Sequence, residues 1–302
     1  MEERIVRTRR PVNLRLTLGP LCHGGGRDPS IRMGSDGVWR ASETPLGPAT
    51  LHLRCVAPTS VAAEAWGPGA PAALDSVADL IGADDDPPSL AGIHPLVTRL
   101  ERQLPGLRIG RTGAVLDELV PTVLEQRVIG AEAAFAYRAL TRACGRNAPA
   151  GTGPPLLLPA DARWLATAPY WAFHRWGVEQ RRAATIKAAA AKAWPLHGAP
   201  PLPVEEARRR MFAISGVGPW TVNTVAISAL GDADAVPVGD YWLKHVVTHA
   251  LTGVPRGTDE RMLELLEPWK GQRGRVCRML MHGAPRLPRF GPRLPLRRIA
   301  VH

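Results

Sequence analysis

The stretch Ile214–Asp240, ISGVGPWTVNTVAISALGDADAVPVGD, constrains this chain more than any other. An amphipathic segment before it, VEEARRRMFAI (204–214), reads as a helix that has to stop at Ser215-Gly216. Gly216 and Gly218 bracket one valine, and both permit φ > 0 and close backbone approach. Pro219 suits a first helical turn, where its missing N–H would have had no partner. WTVNTVAISAL then reads as a second helix. The result is a helix, a turn without side chains, and a helix N-terminus whose free N–H groups and dipole suit a phosphate oxygen. A plain helix–helix connection has the same requirements, so G-V-G alone leaves both readings open.

Twenty residues after Trp220, VPVGDYWLKHVV sets Asp240 behind Gly239 at the start of another helix. Aspartate is favoured there as a cap. A carboxylate at a positive helix end is also the group to place beside a developing cation.

The remainder divides by pattern. The chain has 302 residues, enough for two domains. VNLRLTL (12–18) and ATLHLRCV (49–56) alternate as half-buried strands do, with HGGGRDPS (23–30) and SETPLGP (42–48) as turns. VAAEAWGPGAPAALDSVADLIG (61–82) starts strand-like and becomes helical after its Gly/Pro break, and ADDDPPS (83–89) is an acidic linker. From about 90 onward, segments such as HPLVTRLERQL, AVLDELVPTVLEQRVIGAEAAFAYRALTRACG (114–145), EQRRAATIKAAAAKAW and DERMLELLEPW are helical. The expected fold class is mainly α: a helical region over 89–302, in two halves with a cleft between them, preceded by a small α+β unit with an antiparallel sheet over 1–88.

Charge points to a polyanion. The net charge is +11, and Pro268–His302 holds Lys270 and eight arginines with no Asp or Glu. No apolar run approaches a membrane span, and MEERIVRTRR lacks a signal-peptide core, so a soluble cytoplasmic protein is expected. Cys22, Cys55, Cys144 and Cys277 have neither zinc nor disulfide spacing and are expected to be reduced bystanders.

G-V-G-P-W-T followed by V-G-D-Y resembles the helix-hairpin-helix, Gly/Pro-Asp (HhH-GPD) superfamily of DNA glycosylases, and within it the 3-methyladenine DNA glycosylase II (AlkA-like) branch. LDELVPTVLEQRVIGAEAAFAYRALTRACG resembles the family's first core helices, WGVEQRRAATIKAAA the helix that closes its first half, and EPWKGQRGRVCRML the segment after the catalytic helix. The resemblance implies a base-flipping enzyme that removes damaged bases, alkylated purines above all, from duplex DNA at the bacterial nucleoid. It implies a monomer with no cofactor, save a monovalent cation (Na⁺ or K⁺) at the hairpin backbone near Ile214 and Gly216. Gly216, Gly218 and Thr221 would grip a backbone phosphate, and Asp240 would stabilise positive charge on the sugar. In the bifunctional branch a lysine stands just before the hairpin threonine. Trp220 stands there in this chain and cannot form a Schiff base, which implies a monofunctional enzyme with Trp220 as a wall of the base pocket.

Three departures qualify the resemblance. Thr224 and Met281 stand where pocket aromatics are expected, which opens the pocket and leaves the lesion range in question, although Tyr137, Trp171 or Trp242 could compensate. Gln126 and Arg127 are both expected to contact DNA, with Arg127 in the place of an aliphatic wedge that fills the hole left by the flipped base. Arg273, Arg275 and Arg278 are the expected phosphate contacts of the basic segment. A glycosylase for deaminated or oxidised bases, and a non-catalytic helix-hairpin-helix DNA-binding protein, stand as alternatives.

Overall fold

The computed structural model describes residues 2–285 and Leu287. Arg286, Arg289, Arg293, Arg297 and Arg298 of the basic segment therefore lie outside the described residues.

The first layer is an antiparallel sheet of β1 (Glu2–Arg7), β2 (Ile31–Met33), β3 (Val38–Thr44), β4 (Gly47–Ala57) and β5 (Ser60–Trp66), in the order β1-β5-β4-β3-β2. Tight turns join β3 to β4 and β4 to β5, so neighbours in sequence pair in space. Period-2 alternation puts Leu51, Leu53, Val61, Ala63 and Ala65 on one face. Three short helices cover that face: α1 (Leu14–Leu18), α2 (Ala70–Asp75) and α3 (Val77–Leu80). The other face carries Trp39, roofed by Leu156 and Leu158 of the proline-rich loop.

The expected strand over 12–18 is instead helix α1. Asn13 Oδ1 accepts from the amides of Arg15 and Leu16 at 3.0 and 3.1 Å, which starts a helix. Leu14 and Leu18 then share one buried face. The alternating leucines satisfy period 2 and the i,i+4 spacing alike, and the cap decides between them.

The helical region comprises α4 (Pro95–Gln103), α5 (Val115–Leu124), α6 (Gly130–Cys144), α7 (Ala162–Thr167), α8 (Gln180–Ala190), α9 (Val204–Phe212), α10 (Pro219–Val225), α11 (Leu243–Thr252), α12 (Asp259–Leu266) and α13 (Arg273–Gly283). Two cores form. One draws on α5 to α10 and the other on α4 and α11 to α13. In the first, Leu119, Val123 and Leu124 are fully buried, each contributing about 1.5–3 kcal/mol. The chain thus leaves the second core after α4 and re-enters it just before Asp240. No described helix is long and apolar enough to cross a membrane.

Arginines fix α13 from within. Arg275 is only 3 % exposed and pairs with Asp85 of the acidic linker. Arg278 donates to the carbonyls of Leu16 and Thr17 at 2.7 and 3.2 Å. Neither guanidinium is free for a phosphate, which corrects the expectation for both. The run ADDD needs a cation once it is drawn against the helical region, and α13 supplies it. Replacing Arg275 with Met should cost up to about 3–5 kcal/mol in denaturant unfolding, because Asp85 loses its close cation and keeps only Arg108 at 4.0 Å and the Ile109 amide.

The loop after α1 docks on α5 through His23. Its Nε2 lies 3.1 Å from Glu118 and its Nδ1 3.8 Å from Glu125. Burial alone would lower the imidazole. Hydrogen bonds to Glu118 and then Glu125 outweigh it and raise the pKa to about 10. The unfolded value is about 6.5. The stabilisation is therefore complete below that value and fades as pH climbs towards 10. Midpoints of urea unfolding should fall across this window in the parent and lose most of that dependence in His23→Gln.

Candidate active site

The hairpin is braced from behind. Gly216 has φ +88°, and a Cβ there would lie 2.2 Å from Thr185 Oγ1. Thr185, on α8, donates to Ser215 O at 3.0 Å. The turn itself closes through Val217 N to Ile214 O at 3.0 Å. Gly218 differs: its backbone is extended, and a Cβ there would meet nothing. Internal packing therefore does not demand a glycine at 218, whereas close approach by another molecule would. The first-turn amides of α10 have no carbonyl one turn back. They are the free donors of this turn. The Thr221 side chain faces inward, with its Oγ1 accepting from Gln126 Nε2 at 2.9 Å.

Gln126 and Arg127 sit in the loop between α5 and α6. Gln126 Nε2 also donates to Gly216 O at 3.0 Å. Its amide donors are thus engaged with the hairpin and not offered to DNA. Arg127 is exposed, with φ +58°, a region that residues with side chains rarely adopt.

Asp240 faces the hairpin across the seam between the two helical cores. Its Oδ1 accepts from the amides of Trp242 and Leu243, both at 2.8 Å, at the start of α11. Its Oδ2 accepts from Trp220 Nε1 at 3.0 Å. A carboxylate has about four lone-pair sites. Three are filled, and the half-exposed group keeps one for an outside partner. Gly239, at φ +91°, turns the chain into this position, and its N–H donates to Asp259 Oδ1 at 3.1 Å. Asp259 Oδ2 in turn holds Lys244 at 3.2 Å.

The surrounding walls are mixed. Thr224 spends its hydroxyl on Trp220 O at 2.8 Å. Met281 is exposed on the last turn of α13, one turn beyond Cys277. Helix α13 packs against α11, the helix that Asp240 opens, and burial pushes the Cys277 thiol up to about 12. Tyr241 and Trp242, beside Asp240, are 71 % and 54 % exposed, with their rings perpendicular at 4.9 Å. Tyr137 is buried against His23, and Trp171 is exposed on a separate turn.

The loop that delivers Asp240 is fixed by polar groups that sequence reading missed. Arg208 on α9 bonds Asn223 and Asp232 at 2.8 and 2.5 Å, and Asn223 Nδ2 donates to Val236 O at 2.8 Å. Asp234 accepts from Arg273 Nε and Nη2 at 2.9 and 2.5 Å and from the amides of Gly271 and Arg273. Burial opposes ionisation of Asp234, but these hydrogen bonds hold its carboxyl below the usual range. Arg273, expected on a phosphate, instead forks onto Asp234 and leans on Glu267. The i,i+2 pair Asp232 and Asp234 in GDADA, with arginines available in the helical segments of Arg208 and Arg273, is the signal that was available.

Among the described residues no group of three or more His, Cys, Asp or Glu could hold a metal ion. For a monovalent cation, the carbonyls of Ile214 and Gly216 are suitable hard oxygens. Each already accepts one hydrogen bond and keeps one lone pair.

No protein-family model matches the chain. It is 29 % identical over 231 residues to a Mycobacterium tuberculosis protein described as a probable bifunctional transcriptional activator/DNA repair enzyme AlkA, covering 68 % of this chain and 41 % of that protein. The chain thus spans about two-fifths of that relative's length. Its fold is shared with a 3-methyladenine DNA-glycosylase from Archaeoglobus fulgidus, at a TM-score of 0.71 and 14 % identity over 92 % of this chain and 98 % of that one. It is shared also with an 8-oxoguanine glycosylase/lyase from Clostridium acetobutylicum, at a TM-score of 0.66 and 13 % identity over 93 % and 96 %. Fold and sequence agree in direction: the chain shares its fold with DNA glycosylases and is similar in sequence to an AlkA-type DNA repair enzyme.

Proposed function

We propose that this chain is a monofunctional DNA glycosylase that hydrolyses the N-glycosidic bond of alkylated purines in duplex DNA. The observation that carries the reading is Asp240, held by an indole and two helix amides with one lone pair open at the seam. In the proposed division, 1–88 forms a supporting α+β domain, 89–302 carries the site, and the protein acts as a monomer.

The mechanism follows from the named groups. The free amides around Gly218 and Thr221 bind one backbone phosphate, with Arg127 entering the stack as the damaged nucleotide turns outward. Extrusion costs a few kcal/mol, least for a damaged base. The sugar is then brought beside Asp240, whose carboxylate stabilises the charge that develops as the base departs and orients the incoming water. An alkylated purine already carries positive charge and needs little acid assistance. Trp220 holds the carboxylate by its edge and offers its face to a cationic base.

The lysines support hydrolysis without strand cleavage. Lys187 is spent on the carbonyls of Ala166 and Ala168, Lys244 on Asp259, and Lys270 on Glu267. Lys192 follows α8, in the other core from α11. A second reading, removal of oxidised or deaminated bases, is favoured by Thr224 and Met281 in the places of aromatic walls.

The test is base release from duplexes carrying methylated, oxidised or deaminated bases, with strand breaks scored alongside. Release of methylpurines without breaks is expected. Release of only an oxidised or deaminated base would favour the second reading. Asp240→Asn should slow release by about 10²-fold or more. A variant as fast as the parent would sink the catalytic assignment.

A further inference from the structure

Gln126 stands at the corner of a closed triangle. Both hydrogens of its amide nitrogen are used, one on Gly216 O at 3.0 Å and one on Thr221 Oγ1 at 2.9 Å. Gly216 O can only accept, so the nitrogen and not the oxygen must face the hairpin. The second side of the triangle is α8 to the hairpin, through Thr185 and Ser215 O. The third is α8 to α5: the buried Arg182, one turn before Thr185, donates to Leu124 O at 2.7 Å and to Gly177 O at 3.0 Å. That bond caps the helix whose end carries Gln126 and Arg127. Among the described residues Arg127 is the one non-glycine with positive φ. Such a backbone persists only where its surroundings over-determine it. Here the surroundings are the hairpin on one side and α8 on the other.

We propose that Gln126 is a positioning residue that couples the hairpin's grip on phosphate to the placement of Arg127. Resting on the glycosylase reading of the site, the proposal removes Gln126 from the set of DNA ligands and gives it a different task. Thr221 opens α10, the helix whose first-turn amides bind the phosphate, and Gly216 forms the turn before it. Both report their position to the wedge loop through one side-chain amide. A phosphate that seats the hairpin therefore also seats Arg127, and backbone capture is converted into base extrusion. The coupling matters where a stacked pair must be opened and is idle where the base is already outside the stack.

The experiment compares the full chain with Gln126→Met, which keeps the length and removes both donors. Single-turnover release is measured for one methylated purine, first paired in a duplex and then unpaired in a one-nucleotide bulge. Gln126→Met should lose about tenfold on the paired substrate, the worth of two ordinary hydrogen bonds, and nothing on the bulge. Arg127→Ala should show the same pattern, and the double variant should lose no more than either single one. Equal loss on both substrates would mean a merely loosened hairpin and would overturn the proposal, as would no loss on either or fully additive losses. A second readout does not depend on base release. A 2-aminopurine next to a paired, hydrolysis-resistant 2′-fluoro methylpurine should brighten when the parent opens that pair and fail to brighten with Gln126→Met at equal DNA occupancy. Brightening by a parent that releases no base would count against the glycosylase reading and leave the coupling standing. Brightening undiminished in the variant would refute the coupling alone.

Discussion

The hydrogen bond from Trp220 Nε1 to Asp240 Oδ2 spans the seam between two separately packed helical cores. The indole belongs to α10 and the carboxylate to the start of α11, so the bond is made only when both cores are assembled in register. The local cap by Trp242 and Leu243 amides would form in α11 alone. It fixes one carboxylate oxygen, and the indole fixes the other. A group oriented this way enters a reaction without paying for its own ordering, which is the advantage of a preorganised charge.

Everything near this bond serves to hold it in place. The loop from Gly231 to Gly239 would be free to wander without its side-chain anchors. Arg208 and Arg273, each tied to an aspartate, clamp it to α9 and α13. The hairpin is fixed from the opposite side by Thr185 and Gln126. These are partly buried, well-satisfied polar networks. Such networks contribute less to net stability than to the choice of one geometry, because a misregistered alternative would leave a buried charge unpaired.

The basic composition divides into two populations of arginine. Arg275, Arg278 and Arg182 are internal struts that satisfy carbonyls or a linker carboxylate. Arg127 is exposed beside the site. Net charge therefore overstates the number of cations available to a polyanion, and a buried arginine says nothing about binding.

What the sequence alone determined was local. The side-chain-poor turn at Gly216 to Gly218, the helices on either side, the helix start at Asp240 and the strands β4 and β5 all follow from residue types within a few positions, because caps, glycine and periodicity act over one turn. The strand expected at 12–18 failed on the same scale, since its leucines fit either period and one asparagine cap tipped the balance. Only the tertiary structure decided which arginines face inward, that Gln126 reaches the hairpin instead of the solvent, and that Trp220 and Asp240 touch. Those facts depend on contacts between residues tens to hundreds of positions apart. No local pattern encodes them, because the energy of a paired charge or a shared amide exists only once the distant partner has arrived.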